Sequence, residues 1–586
     1  MNSILNNFDD LHSRIDAWRR HSGLSAEMMV GFILLGLVFI LAAYPVVFLF
    51  LNSFVVSDPG KAVTWGFGAW TAAFNDTTLV IALANTFSLA ATRMVIAVTI
   101  AIFFAWAVTR TDMPFKGFIE VALWLGFFLP VLPMTLGWVL LLDPSYGIIN
   151  KALMYLFGLS KAPLDIYSYW GIVWCHLAFS VSIRFLLLSP AFRSMDAALE
   201  EAARISGSSN LGALLRIIIP ILAPAILASV ALGFIKSLES FEIEWILGNP
   251  AGISVASTKI YDFLHWEPPY YGRATALSGV FLLTIFFLVW LQRTLIGNRE
   301  YTTVTGRGFS VRPIPLGPWR WVCCGFCLLF IFVMILLPLG TLIMGTFMSV
   351  FGFFDLETVW TISHWVEAFD DPIFLNSLKN TFILAAGATL IGVLFYALVS
   401  YAVIKTRFPG RGIMDFFSWL PWALPGVLLS LAILWIVLGS GGIFRFMYGT
   451  VLVLILAVII KEMPLGTQMM KAGTIQISRE LEESSRMSGA SWITTFRRIM
   501  LPLLNPTLIA VGIVMIIISV REISAIVFLS SYRSRTISLL MMDYIEDQSL
   551  EKATVIGVFT VFLILTLLLI GGLFGLRNAP GTERQG

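Results

Sequence analysis

Charge is what this chain has least of. Of its 586 residues 12% are Asp, Glu, Lys or Arg, about half the share of a soluble domain, while 58% are hydrophobic and the mean hydropathy is +0.87. That balance excludes a water-soluble globule and defines a polytopic membrane protein. The net charge of +3, with dispersed basic residues, leaves no footprint for nucleic acid. Cysteine is equally scarce: Cys175, Cys323, Cys324 and Cys327 all lie in apolar runs, too few for a disulfide framework. The CxxC spacing of Cys324 and Cys327 reads as small apolar side chains in a helix. Five histidines, His12, His21, His176, His265 and His364, are scattered without metal-ligand spacing. The sequence contains no GxxxxGK[ST], HExxH or GxSxG. No catalytic residue, resident cofactor or metal site is therefore assigned, and nucleotide in the phosphate-loop mode must be bound by another chain.

Long apolar runs are present instead. Runs of roughly 20 residues lie near Met28–Leu51, Leu79–Val108, Phe118–Leu142, Tyr169–Ser189, Ile217–Leu238 and Arg273–Ile296 in the first half of the chain. The second half has them near Trp321–Phe347, Asn380–Ile404, Ile413–Leu438, Gly449–Met470, Ile499–Val520 and Ala553–Leu573. The expected fold is thus all-α, with about 12 transmembrane helices as two parallel six-helix repeats. The expected division is a first half over 1–297 with an N-terminal tail, a linker over 298–320 rich in Gly, Pro and Arg, and a second half over 321–586. Met1 to Glu27 is long and mixed in charge, unlike a cleavable signal, so the first run stays as a span. With both termini inside, about 23 of the 38 basic residues fall on cytoplasmic segments, about 10 opposite and about 5 within spans.

The halves repeat each other in detail. Asn85-Thr86-Phe87 and Asn380-Thr381-Phe382 open matching segments, which run into basic loops at 109–114 and 405–409 that each contain a proline. Pro130 and Pro133 answer Pro421 and Pro425 in the third span of each half. Two polar islands repeat most closely: EAARISGSSNLGALLRIIIP from Glu201 to Pro220, and ESSRMSGASWITTFRRIMLP from Glu483 to Pro502. In each, Gly stands six residues after Glu, with Ile ten and Pro thirteen residues after that Gly. A passive connection has no reason to hold this spacing twice. Each island is compatible with a short helix, a turn at Gly207 or Gly489, and a second helix that re-enters the membrane. Small residues, Ala202-Ala203 and Ser484-Ser485, would let another surface approach closely, and Glu201 and Glu483 offer it an acid. Six spans between the islands put both on one side.

These stretches resemble the EAA signature of permease subunits of type I binding-protein-dependent ATP-binding-cassette importers. The second copy has Ser484-Ser485 for the two alanines, and the first has Ile219 where Leu is usual. Two signatures in one chain, with Leu420 to Gly426, are most similar to the ferric-iron, thiamine and phosphonate branch. The resemblance implies a MetI-like permease fold and a translocation subunit of the bacterial inner membrane, without its own ATPase activity. It implies ATPase-coupling roles for Glu201, Ala202, Ala203, Gly207, Glu483, Ser484, Ser485 and Gly489. Implied partners are two copies of a cytoplasmic ABC ATPase that binds ATP, and a periplasmic solute-binding protein. Ferric iron is the expected cargo; thiamine, a phosphonate or a polyamine fits the same class, and an ion-coupled secondary carrier is the alternative outside it. Arg93, Arg184, Glu239, Glu242, Lys461, Glu462, Arg521 and Glu522 are candidates for the solute pathway or for buried pairs, because ionisable groups within or at the ends of spans are costly.

Overall fold

A computed structural model of the chain describes residues 26–55, 64–196, 205, 207, 209–266, 271–296, 313–439, 442 and 444–578. The rest of the tail and linker and Glu201, Ala202 and Ala203 lie outside the described residues. Pairing of β type is confined, among the described residues, to three isolated bridges. Among the described residues nine helices are long and apolar enough to cross a membrane, and three bent pairs raise the number to as many as twelve, in line with the apolar runs. The bends fall in the third, ninth and eleventh spans: Lys116–Phe128 with Val131–Leu142 (102°), Arg411–Trp422 with Gly426–Gly439 (109°), and Trp492–Leu503 with Asn505–Arg521 (74°). Pro130 and Pro425 sit at the first two bends, where the missing N–H and the restricted preceding residue interrupt a helix.

Proline also sets a finer feature. Five π turns occur among the described residues, over Phe39–Ala43, Leu214–Ile218, Glu244–Gly248, Phe332–Leu336 and Phe496–Met500. Each ends two residues before a proline: Pro45, Pro220, Pro250, Pro338 and Pro502. In four of them the residue just before proline donates to the carbonyl five back, as Ile219 N does to Leu214 O and Leu501 N to Phe496 O. Proline has no N–H for the ladder and its ring crowds the carbonyl four back, so a wider turn relieves the clash at the cost of one register step.

The chain forms two compact units. One contains residues 1–52, 376–536 and 565–586, the other residues 53–375 and 537–564. The first span of each sequence half thus belongs to the unit that holds most of the other half. In the first unit, Phe32 of Met28–Asn52 packs edge-on to Phe408 at 4.9 Å, and Gly31 leaves no room for a Cβ against the same ring. In the second, Thr341 of Trp319–Gly345 donates to Gly137 O at 3.1 Å, and a Cβ on Gly137 would stand 2.1 Å from Pro338 O. Close backbone approach at small residues is how helices associate where lipid removes the hydrophobic drive.

Within the units several elements of the repeat match. The second and eighth spans, Thr77–Arg110 and Pro372–Lys405, are both 34 residues long, and each follows an eight-residue helix, Gly68–Asn75 or Ser363–Asp370. Asn85 Nδ2 donates to Ser254 O at 3.0 Å, and Asn380 Nδ2 to Arg533 O and Arg535 O at 2.9 and 3.0 Å. The repeated Asn is therefore a clamp on the segment that follows the fifth span of each half.

Candidate coupling loops and buried ion pairs

The second island folds as a helix over Arg479–Met487, opened by Ser478, whose hydroxyl accepts from Glu480 N at 3.2 Å. It closes on Gly489 at φ +80, with Ser488 N on Ser484 O at 3.1 Å and Ala490 N on Ser485 O at 3.1 Å. These bonds satisfy carbonyls that a helix end leaves open, and the left-handed residue is the one without a Cβ. Ser491 then caps the next helix, Trp492–Thr495. Glu483 and Ser484 are exposed; Ser485 is half-buried, its hydroxyl 2.9 Å from that of Thr495. Leu481, Met487 and Ile493 are exposed on the same device. In the first island Gly207 takes φ +81, and Asn210–Ala213 with its π turn stands where Trp492–Thr495 stands in the second.

Glu482 points the other way. It is buried, with Lys405 Nζ 3.7 Å from Oε1 and the Tyr401 hydroxyl donating to Oε2 at 3.3 Å. Burial holds its carboxyl above the ordinary range, with Lys405 and Tyr401 offsetting part of the effect. Tyr401 packs at 5.3 Å on Trp492 and 5.2 Å on Phe496, beyond the glycine turn. Lys405 also donates to Ile477 O at 2.5 Å. The first half has Arg110 donating to Met195 O at 3.1 Å. Thr111 and Thr406 each bond the carbonyl four residues back at 2.6 Å, and Lys116 and Arg411 donate to Thr111 O and Thr406 O. Residues 110–112 also take the end of the linker: Ile314 N donates to Arg110 O at 2.7 Å and Asp112 N to Ile314 O at 3.0 Å.

The intramembrane candidates separate into two clusters. Arg93 Nη1 donates to Glu244 Oε1 at 2.7 Å, and Arg93 Nη2 to Ser237 O. His176 Nε2 lies 3.1 Å from the same Glu244 oxygen, and Ser240 donates to Oε2. Arg184 is not in that pair: its Nη1 meets Ser180 O at 2.6 Å, its Nε and Nη2 lie 3.4 Å from Met94 Sδ, and Gly233 makes room for the guanidinium. In the other cluster Lys461 Nζ donates to both Glu522 oxygens at 2.7 and 2.8 Å and to Ser524 Oγ at 2.9 Å, while Ala525 N donates to Glu522. Glu462 is buried next to Lys461 on the helix, where neighbours point about 100° apart and do not pair. Glu239 is bonded by Lys236 at 3.0 Å, and Glu242 and Arg521 are half-buried. The partners of Glu244 lie 151 residues away in the chain for Arg93 and on a third helix for His176, a juxtaposition with no local sequence signal. Arg110 and Lys405, by contrast, carried one: they hold the same register in the two basic loops.

Residues 388–582 match the family described as binding-protein-dependent transport system inner membrane component. The chain is 26% identical over 447 residues to the ferric transport system permease protein FbpB of Actinobacillus pleuropneumoniae, covering 75% of this chain and 63% of that protein. It is 27% identical over 414 residues to a putative ferric transport system permease protein FbpB 1 of Haemophilus influenzae, covering 69% and 63%. A probable ABC transporter permease protein, y4fN, of Sinorhizobium fredii is 24% identical over 486 residues, covering 80% and 83%. The chain thus spans a little under two thirds of the length of the two ferric relatives. These likenesses are to inner membrane components of binding-protein-dependent transport systems, and the first two relatives are named for ferric transport.

Proposed function

We propose that this chain is the translocation subunit of an ATP-driven importer that carries ferric iron, received from a periplasmic binding protein, across the bacterial inner membrane. One observation carries the reading: two loops of identical Glu-to-Gly-to-Pro spacing, the second folded as an exposed short helix that ends on left-handed Gly489. Each loop faces the cytoplasm and docks one of two ATPase copies, Glu201 and Glu483 meeting a basic partner and the small pairs allowing close approach. Closure of the ATPases displaces the loops, and the spans rock to alternate access. Ferric iron rests on the two relatives named for ferric transport. Among the described residues there is no group of three His, Cys, Asp or Glu side chains that could hold a metal ion.

The test is reconstitution of the full chain with its neighbouring ATPase and binding protein in vesicles, with iron uptake followed upon ATP addition while the proton gradient is collapsed. Uptake that needs ATP and survives collapse is expected, and Glu201→Arg combined with Glu483→Arg abolishes it. Uptake that follows the gradient and ignores ATP would replace this reading with an ion-coupled carrier. Thiamine, a phosphonate and a polyamine serve as competing cargoes.

A further inference from the structure

We propose that Arg110 and Lys405 are positioning residues that bind the root of each coupling loop to the second span of the same half, so that displacement of the loop is delivered to that span. The proposal rests on the reading of the loops given above. Each cation is the last residue of a 34-residue helix, and each stands 25 residues after the clamping Asn85 or Asn380. Both are buried: Arg110 is 0% exposed and the Lys405 side chain 3%. Each donates to a carbonyl six residues ahead of the signature glutamate, Arg110 to Met195 O at 3.1 Å and Lys405 to Ile477 O at 2.5 Å. Those carbonyls follow the ends of the fourth and tenth spans, Tyr169–Arg193 and Val451–Gln476, where helix carbonyls lack intrahelical donors and a cation is favoured.

Two different cations that reach the equivalent carbonyl in two compact units are not explained by local packing alone. A basic side chain at a helix end ordinarily turns to water, since an unpaired buried charge is costly. Here the burial fixes three things together: the end of the second span, the end of the fourth and the start of the loop. In the second half the joint also reaches the loop helix itself through Glu482, one residue ahead of Glu483 but facing inward, and Tyr401 extends it by ring contacts to the limb beyond Gly489. Glu200 holds the sequence register of Glu482 in the first half and lies outside the described residues.

Lys405→Met and Arg110→Met in the reconstituted complex test the joint. The ATPase should still co-purify and hydrolyse ATP at about the basal rate, while uptake per ATP hydrolysed falls roughly tenfold, within the range for residues that carry coupling between sites. Lys405→Arg should restore most of the coupling. Wild-type coupling in both Met variants would overturn the proposal. If Lys405→Met yields no complex, Glu482→Gln decides: about a threefold loss of coupling supports the joint and no loss overturns it. A wild-type complex without ATP-dependent uptake would instead defeat the reading of the loops, which separates that failure from failure of the joint.

Discussion

In one unit a buried acid is held by an arginine, a histidine and a serine from three segments; in the other a buried acid is held by one lysine, one serine and a backbone N–H. Glu244 and Glu522 both stand after the fifth span of their half but not in one register, since in the spacing of the two loops Glu522 answers Ser240; the halves share a buried acid in this region and neither its exact position nor its partner. Ala388, fully buried, occupies the register of Arg93 on the eighth span. The large side chain at the neighbouring level has moved as well: Arg184 on the fourth span is answered by Gly466, whose missing Cβ makes room for Tyr396 of the eighth. The two halves hold a buried acid with different residues, and an unpaired charge is penalised wherever it sits.

Breaking the two clusters should therefore have unequal effects. Glu244→Gln leaves the Arg93 guanidinium buried beside Arg184 with no way to discharge, and a loss of roughly 3–5 kcal/mol in unfolding stability is expected. Thermal denaturation of the purified protein would read this, and the loss should be the same at pH 7 and pH 9.5. Glu522→Gln leaves an ammonium, which can give up its proton, so a smaller loss is expected, one that shrinks as pH rises. Equal, pH-independent losses would erase the distinction between the clusters.

The two glycine turns sharpen the comparison from the other side. Gly207 and Gly489 share nearly the same φ, +81 and +80, and a Cβ at either would meet nothing within 4 Å. Gly207→Ala and Gly489→Ala should thus cost the same, about 1 kcal/mol of local strain. On the docking proposed above, any difference in uptake between them measures unequal engagement of two ATPase copies by Ala202-Ala203 and Ser484-Ser485, and identical uptake would mean that the loops are equivalent.

The smallest expected effect concerns Glu482. A carboxyl raised by burial stabilises the fold most when protonated, and that contribution is lost as pH rises through its raised pKa. Glu482→Gln does not titrate, so its melting temperature should equal or slightly exceed that of the wild type at pH 8, with the difference closing or reversing as pH falls towards the ordinary glutamate range. A variant that couples poorly without being less stable would separate the mechanical role of this residue from a packing role.

Much of this architecture was open to sequence reasoning. The spans follow from apolar runs, and the bends in the third and ninth spans follow from paired prolines. The eleventh bend was less legible: Pro506 has a counterpart in Pro224, yet Leu214–Leu238 passes as one span while the other half breaks at Leu504. Asn505, a poor helix former, precedes the proline at the break, where Ala223, the best, precedes its counterpart. The repeated Asn-Thr-Phe was visible, but its purpose was not, because the carbonyls it clamps are more than 150 residues away.

By itself the sequence determined the membrane class, the number of spans, the left-handed turns at Gly207 and Gly489 and the register of the two loops. All of these depend on neighbours within one helix or turn, where hydropathy, proline and glycine act locally. Only the tertiary structure decided that each first span joins the unit holding most of the other half, that Arg93 finds Glu244 and Lys461 finds Glu522, and that Arg110 and Lys405 turn inward to the roots of the loops. A buried charge is compelled to find a partner, but which partner depends on how helices distant in sequence come to lie against one another.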